Sequence, residues 1–359
     1  MKISVRQICF ILAFYTVAMR LLLYPVALAG ISGRDLLFSA LIDFAVQGAV
    51  IWAVAYLGSK TDKTLFELIQ NTFGTVAARI IYGLFAAFFI LSVILPMFEQ
   101  KLYVHAIFYD TVPSFLVFAP IFLFTVYAGS KGFKNIGRCA DICMPVFIVS
   151  IVFIFFMSFS ETDFSNLLPV LKTPPQAIFM GSLKTALSFI EPAYLLMFLG
   201  HYRYRKGDAA KMTLSYVLGG LIVLLFLAVF YGIYGELTSS RQFAVSKISL
   251  YFSALDVVGR VDLYALYALE IVMLFAMVLN IQLAVHCLVK CTGWDCPEIL
   301  SLAVNGVLLV ILITCNHLYT SMFEFLSDWM WIAVLLFAVA APLSAWALRR
   351  TDAAQRRRL

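Results

Sequence analysis

The chain has 359 residues, of which 63% are hydrophobic and 13% are charged, and its formal net charge is +6. Soluble domains average about 45–50% apolar and about 25% charged residues, so this composition excludes a soluble globular protein and predicts an integral membrane protein. No nucleophile–base pair, phosphate loop or metal motif stands out, and nothing suggests nucleic acid. We therefore expect no enzyme, no cofactor and no metal site.

Ten apolar segments follow one another along the chain, each close to the ~20 residues that a helix needs to cross the hydrocarbon core. The predicted spans are 7–30, 36–58, 77–104, 113–130, 139–159, 176–200, 211–235, 262–289, 297–316 and 328–348. The connections between them leave no room for a soluble domain. We therefore predict a single polytopic membrane domain over 1–359.

The distribution of positive charge predicts how the spans are oriented. An even number of spans places both termini on one side of the membrane. Of the 26 Lys and Arg residues, 18 fall on that side, six fall on the opposite side, and Arg20 and Lys184 fall inside spans. Because Lys and Arg accumulate in cytoplasmic loops, both termini are predicted to be cytoplasmic.

The spans divide into two sets of five, 7–159 and 176–348, and each set opens with an interrupted helix. In span 1 the interruption surrounds Arg20, with Pro25 beyond it, and in span 6 it surrounds Pro192. Interrupted segments at matching positions of two halves point to a binding site in a LeuT-like transporter fold. We predict an all-α membrane protein with a five-plus-five inverted repeat and broken helices 1 and 6.

Two charged residues lie at these interruptions, Arg20 in span 1 and Glu191 in span 6. A lone charge at the bilayer centre costs roughly 2.5–3.5 kcal/mol on insertion scales, so each residue needs a partner. Because the breaks of an inverted repeat face each other, we expect the two to pair. One hypothesis is a pocket in which Arg20 meets a ligand carboxylate and Glu191 an ammonium. The alternatives are a structural ion pair that fixes span 1 against span 6, and no contact between the two residues.

Further ligand-binding candidates surround the break in span 6, where a proline frees backbone groups that can meet a ligand directly. They are Ser188, Phe189, Pro192 and Tyr194, and Glu270 in span 8 joins them as an intramembrane acid. A buried hydrogen-bonded role is the alternative for Glu270. Span 8 has neither Ser nor Thr over 263–282, which disfavours a LeuT-like sodium site. Proton coupling and no coupling both stay open.

Two connecting segments are predicted to hold structure of their own. Residues 59–78 place apolar residues between Leu65 and Phe73 at helical spacing, which predicts a short interfacial helix. Residues 236–261 form the longest outer loop, and its apolar residues suggest a partly helical cover. Such a cover is either an outer lid or a passive cap.

Four stretches of the chain carry a resemblance to a known family. They are Lys63-Thr64-Leu65-Phe66-Glu67-Leu68-Ile69, Gly132-Phe133-Lys134-Asn135-Ile136-Gly137-Arg138, Asp163-Phe164-Ser165-Asn166-Leu167-Leu168-Pro169-Val170 and Ala186-Leu187-Ser188-Phe189-Ile190-Glu191. In this order and spacing they resemble the spore germination receptor B-subunit family, a branch of the amino acid–polyamine–organocation transporter superfamily. The similarity runs over most of the chain, and Glu191 matches the family's glutamate in broken helix 6.

The resemblance implies a membrane subunit that senses a small germinant, usually an amino acid, in the inner membrane of a dormant spore. It also implies a hetero-oligomer with a larger membrane subunit (A) and a lipoprotein subunit (C), surrounded by membrane lipid. The family usually has glycine at the break in span 1, whereas residues 15–25 contain none and Gly30 lies well past it. A free amino acid is therefore not expected to bind in the standard way. The alternative function is a proton-coupled or uncoupled amino acid permease.

Overall fold

A computed structural model of the chain describes residues 3–108, 114–241, 244, 248, 262–315 and 319–356, and every regular element in these ranges is helical. The first half contains α1 Val5–Ala18, α2 Tyr24–Ser32, α3 Leu36–Leu57, α4 Leu65–Phe108, α5 Ser114–Gly129 and α6 Phe133–Ser158. The second half contains α7 Pro175–Thr185, α8 Glu191–Met197, α9 Asp208–Tyr234, α10 Asp262–Thr292, α11 Pro297–Thr314, α12 Tyr319–Val334 and α13 Ala341–Arg356. A π-helical stretch, Leu335–Ala340, joins the last two helices.

Seven helical stretches within the described ranges are long and apolar enough to cross a membrane, which makes the chain a multi-pass membrane protein. Each of the ten predicted spans overlaps described helix. Spans 1 and 6 fall short of a continuous crossing because they are divided, with 14 residues in α1, 11 in α7 and 7 in α8. The total of ten crossings stays a prediction.

Proline explains both divisions. Span 1 stops at Ala18 and resumes as α2 with Pro25 in second position, and span 6 resumes as α8 with Pro192 in second position. Proline lacks an N–H and clashes with the preceding turn, so a helix accepts it readily only in its first turn. The predicted breaks in helices 1 and 6 are confirmed, and the one in span 1 forms without glycine.

The helix contacts of the first set of five spans recur in the second set, as an inverted repeat requires. α1 packs against α6 and α9, and its counterpart α8 packs against the last span and α3. α4 and α10, the third spans of the two sets, pack against each other along much of their length. α2 packs against α7, so the second half of span 1 lies beside the first half of span 6. The two breaks therefore meet inside the bundle.

The half-helices α1 and α8 form the centre of that bundle. Every residue of α8 is buried, and so is every residue of α1 from Ile11 to Ala18. A helix that is buried on all sides must be apolar all round, apart from polar groups that find partners. The polar residues that remain on α1 and α8 therefore need specific contacts.

The predicted interfacial helix over 59–78 is the first arm of α4. At Gly74 the backbone of α4 leaves helical geometry, with φ 86° and ψ 171°. This φ lies in the region that glycine adopts without a steric penalty, so Gly74 separates the short arm from the long membrane helix.

The segment that follows α9 reaches the break in span 1. Gly235–Ser240 forms a 3₁₀ turn, and the Ala244 amide donates to the Leu22 carbonyl at 3.2 Å. The remaining residues of the cover predicted over 236–261, apart from Arg241 and the buried Ile248, lie outside the described residues. The choice between a lid and a cap stays open.

Gly219 of α9 allows α9 to approach α1 closely. A Cβ at this position would lie 2.7 Å from the Ala13 carbonyl oxygen and 3.1 Å from Cβ of Thr16. Because the first obstacle is backbone, relief requires a shift of the whole helix. We expect Gly219→Ala to lower the unfolding free energy by about 1–3 kcal/mol, the range typical of overpacking.

Gly306 of α11 supplies the matched control, because a Cβ there meets nothing within 4 Å. Gly306→Ala should leave stability unchanged or raise it by up to about 1 kcal/mol, through the helix propensity of alanine. Thermal unfolding of both purified variants in detergent checks the pair. Equal unfolding midpoints would contradict the close packing of α1 on α9.

Candidate functional site

Arg20 lies just past the end of α1, where the helix leaves carbonyl groups without internal partners. Its Nη1 donates to the Thr16 carbonyl oxygen at 2.6 Å. A cation at a helix C-terminus also interacts favourably with the helix dipole. The end of α1 therefore fixes the position of the guanidinium group.

Glu191 is the first residue of α8 and faces Arg20 across the two breaks. The contact is bidentate, with Nη1–Oε1 at 2.7 Å and Nη2–Oε2 at 3.1 Å. The Thr16 hydroxyl donates to the same Oε1 at 3.1 Å. Both charged side chains are 0% exposed. The structure thus places in direct contact the two charges that the sequence located at matching breaks.

The paired geometry accounts for how two charges remain inside an apolar bundle. Parallel N–H···O bonds between a guanidinium and a carboxylate are among the strongest that proteins make. Removing one partner of such a pair costs about 3–5 kcal/mol, because the other charge stays buried and uncompensated. The Arg20–Glu191 pair therefore holds α1 against α8 at the centre of the bundle.

Aromatic rings surround the pair. The guanidinium carbon of Arg20 lies 3.8 Å from the ring centroid of Phe189 and 5.2 Å from that of Phe44. On the α8 side, the Tyr15 and Tyr194 rings meet edge to face at 5.0 Å. Rings of this kind exclude water and favour a cation over their faces.

Several polar groups around the pair have no hydrogen-bond partner among the described residues. They are Nε of Arg20 and the hydroxyls of Tyr194 and Tyr216, and all three are buried. Buried polar groups in native proteins nearly always have a partner, so exceptions of this kind point to water or a ligand. The surroundings of the pair can therefore take additional acceptors.

A cavity of about 380 Å³, called the outer cavity because it lies in the half of the bundle that is predicted to face outwards, is found between α2, α4, α7 and α12. Ser188 at the break and Tyr24 of α2 are on its wall. Its other polar side chains are Glu99, Lys184, Thr185, Glu324 and Asp328. Lys184 Nζ contacts Asp328 Oδ1 at 3.1 Å, and the remaining two carboxylates give the cavity an acidic character.

Two rings connect this cavity with the ion pair. The Tyr24 ring, on the cavity wall, lies 5.8 Å from the Phe189 ring, which itself stacks on the guanidinium of Arg20. Neither Arg20 nor Glu191 is on the cavity wall. The pair is therefore closed off from the cavity by a layer of aromatic side chains.

The sequence candidates separate into two groups in the structure. Arg20, Glu191 and Phe189 meet at the ion pair, while Pro192 shapes the break and Tyr194 packs beside Tyr15. Ser188 lies on the cavity wall.

Glu270 is not brought to the pair. It is 9% exposed, and its two carboxylate oxygens have no hydrogen-bond partner within the described part of the chain. The alternative interpretation, in which hydrogen bonds hold a buried Glu270, therefore has no supporting contact among the described residues.

Sequence reasoning missed Thr16, Phe44 and Tyr216. Thr16 had a signal, because residues four apart on a helix are neighbours and Arg20 follows it by four. Phe44 and Tyr216 had none, since they lie on α3 and α9, where many aromatic residues occur. Among the described residues, no group of three or more His, Cys, Asp or Glu side chains is placed to hold a metal ion.

The family of this chain follows from comparison with known sequences. A family model described as "Spore germination protein" matches residues 2–324. The chain belongs to the spore germination protein family. The resemblance found in the four stretches of sequence is thus confirmed across nearly the whole chain. No curated protein matches this family member.

Solved transporters share the fold of this spore germination family member. MhsT in complex with L-phenylalanine matches with a TM-score of 0.59 and 12% identity, covering 98% of this chain and 97% of that one. A mutant manganese transporter from Eremococcus coleocola gives a TM-score of 0.54 at 12% identity, with 96% and 77% covered. Mhp1, a nucleobase-cation-symport-1 family transporter bound to bromovinylhydantoin, gives 0.53 at 10% identity, with 93% and 78% covered.

These similarities establish the fold class. The spore germination family member is an all-helical, transporter-like membrane protein of the LeuT type, as the paired breaks predicted. Family and fold point to a transporter or receptor rather than an enzyme. Sequence identities of 10–12% show a shared fold and nothing about the ligand. The ligand of this protein has to be inferred from its own residues.

The ion pair generates a stability prediction. We expect Arg20→Ala and Glu191→Gln each to lower the unfolding free energy by about 3–5 kcal/mol, because each leaves a buried charge without its partner. The double variant Arg20→Met/Glu191→Leu should recover most of the loss, because no charge remains buried. Denaturant unfolding in mixed micelles measures all three. A double variant as unstable as the singles would contradict this account.

Proposed function

We propose that this protein is the membrane subunit of a spore germinant receptor, which binds a small germinant at the Arg20–Glu191 pair and signals to partner subunits. The observation that carries the proposal is a buried, bidentate ion pair at the facing breaks of two half-helices. Spans interrupted at this depth are where transporters of this class form their substrate sites.

The chemistry of the pair favours a zwitterion as the germinant. A carboxylate on the ligand would replace Glu191 on the guanidinium, and an ammonium would replace Arg20 on the carboxylate. An amino acid supplies both charges, so neither buried residue would be left without a partner. The unpartnered Nε of Arg20 and the Tyr194 hydroxyl offer additional donors to the ligand carboxylate.

This binding mode does not need the glycine that is missing from the break in span 1. In the standard arrangement, backbone amides at a glycine break meet the ligand carboxylate, whereas here the Arg20 side chain takes that role. The guanidinium offers two parallel donors in the geometry that a carboxylate accepts.

The outer cavity provides the route by which the germinant reaches the pair. Its acidic side chains attract the ammonium end of a ligand. Rotation of the Tyr24 and Phe189 side chains, which separate the cavity from the guanidinium, would then open the way. Exchange of the internal ion pair for the ligand would let α1 and α8 move apart.

Signalling requires partners and a defined membrane. We place the protein in the inner membrane of the spore with both termini cytoplasmic, and beside a large membrane A subunit and a lipoprotein C subunit. A ligand shifts a conformational equilibrium only through different affinities for the two states. Ion-pair exchange provides such a difference, because the ligand competes with the closed state for the same two charges.

An amino acid permease, proton-coupled or uncoupled, is the second candidate. A cavity of about 410 Å³ at the end of the bundle that holds the N-terminus favours it, because alternating access needs an exit. His201 and His286 are on its wall, with ring centroids 5.5 Å apart. Uptake of labelled amino acids by the protein in liposomes would identify this function.

Germination provides the first test of the receptor. Spores of the host that lack the gene should fail to release dipicolinate in response to one germinant among a panel of amino acids and nucleosides. The intact gene should restore the response. Arg20→Met/Glu191→Leu, at equal protein level in the spore, should not restore it, because both ligand contacts are removed while stability is retained. A full response from this double variant would identify a purely structural ion pair.

The route through the outer cavity predicts a shift in germinant sensitivity. Ala27 is on the cavity wall, and Ala27→Trp would fill part of the space. We expect the germinant concentration for half-maximal dipicolinate release to rise about tenfold or more, equivalent to at least ~1.4 kcal/mol. Leu123→Trp, at a side chain that is 79% exposed on α5, is the control. Equal sensitivity of the two variants would exclude this route.

A further inference from the structure

A second site lies on the outside of the bundle, in a groove between α5, α6 and α10. The groove has a volume of about 580 Å³ and an almost entirely apolar wall. The side chains along it are well exposed, with Tyr127 at 66%, Ile142 at 72% and Ile271 at 53%. Because these helices belong to membrane spans, the groove faces lipid rather than water.

One end of the groove is positively charged. Lys131, in the turn between α5 and α6, and Arg138, on α6, are both on its wall. Among the described residues that form the wall, none is acidic. The Lys131 ammonium lies 4.6 Å from the Tyr127 ring centroid, and Arg138 makes no hydrogen bond or ion pair with a described residue.

The acid nearest to Arg138 along the chain is already engaged. Asp141 accepts from Arg6 Nη2 at 3.0 Å and from Gln7 Nε2 at 2.8 Å, on the side of α6 that faces α1. The two cations of the groove therefore lack a counter-charge within the described chain. They lie at the end of the bundle that holds the N-terminus, where the excess of Lys and Arg predicts the cytoplasmic leaflet.

We propose that this groove binds an anionic phospholipid, with its phosphate between Lys131 and Arg138 and an acyl chain along α5, α6 and α10. Basic pockets between membrane helices at the cytoplasmic side recognise headgroups of this charge. The unbalanced positive charge favours an anionic lipid, whose headgroup always carries a negative charge at the membrane surface. A helix of a partner subunit need not carry a negative charge at that position.

The bound lipid would support the broken helix of the central site. Phe275 is on the groove wall, and its ring meets Phe14 of α1 edge to face at 4.8 Å. The acyl chain thus packs against Phe275, which supports α1 at Phe14, two residues before Thr16. This site is independent of the proposed germinant, because none of its residues contacts Arg20 or Glu191 in the structure.

Native mass spectrometry of the purified full-length protein tests headgroup recognition. Phosphatidylglycerol should bind more tightly than phosphatidylcholine with the same acyl chains, and Lys131→Gln/Arg138→Gln should weaken phosphatidylglycerol binding roughly 10- to 30-fold. Lys60→Gln/Lys290→Gln removes the same charge from helix ends outside the groove and should leave binding unchanged. Equal binding of the two lipids, or equal losses in both double variants, would overturn the proposal.

A photocrosslink in the host's own membranes identifies what occupies the groove. Benzoylphenylalanine in place of Ile142 puts the reactive group at the exposed edge of the groove. The expected adduct is a phospholipid, and the Lys131→Gln/Arg138→Gln background should reduce its yield. A crosslink to a polypeptide would show that a partner helix covers the groove and would overturn the proposal.

Discussion

Two opposite charges can remain at the centre of an apolar bundle only while each satisfies the other, and much of this structure serves that constraint. The Arg20 guanidinium must lie within hydrogen-bonding distance of the Glu191 carboxylate, so the break in span 1 has to face the break in span 6. Pro25 and Pro192 set where the half-helices resume, and the Thr16 carbonyl and hydroxyl add one hydrogen bond to each member of the pair. Aromatic rings then exclude the water that would weaken the pair.

The same constraint suits a receptor that must stay closed until its ligand arrives. A buried pair opens only when something replaces both halves, because a single replacement leaves an uncompensated charge. A ligand with one charge is therefore disfavoured, and a zwitterion is favoured. A difference of ~3 kcal/mol in affinity between two states changes their ratio by about 150-fold, which is sufficient for a switch. The fold serves transporters and sensors alike, so the pair and its surroundings distinguish them better than the helix arrangement does.

How far the sequence could predict this structure depends on the kind of signal. Composition and apolar length located the spans, and two prolines and two charges located the breaks and the pair. The break in span 1 was predicted without a glycine and forms without one, and Pro25 lies in the first turn of the half-helix that resumes after it. The ring of Phe189 over the guanidinium and the unpartnered Tyr216 hydroxyl depend on side-chain directions across four helices, which helical periodicity does not contain. The position of Glu270 away from the pair was hidden for the same reason.

The location of a bound germinant tests the proposed function most directly. A cryo-electron microscopy structure of the protein with its proposed A and C partner subunits, determined with and without a germinant, would show the ion pair in both states. We predict that ligand density lies between Arg20 and Glu191, with its carboxylate on the guanidinium and the Nη1–Oε1 distance extended well beyond the 2.7 Å of the closed pair. An intact pair with the germinant bound elsewhere would contradict the account and leave the pair a structural element.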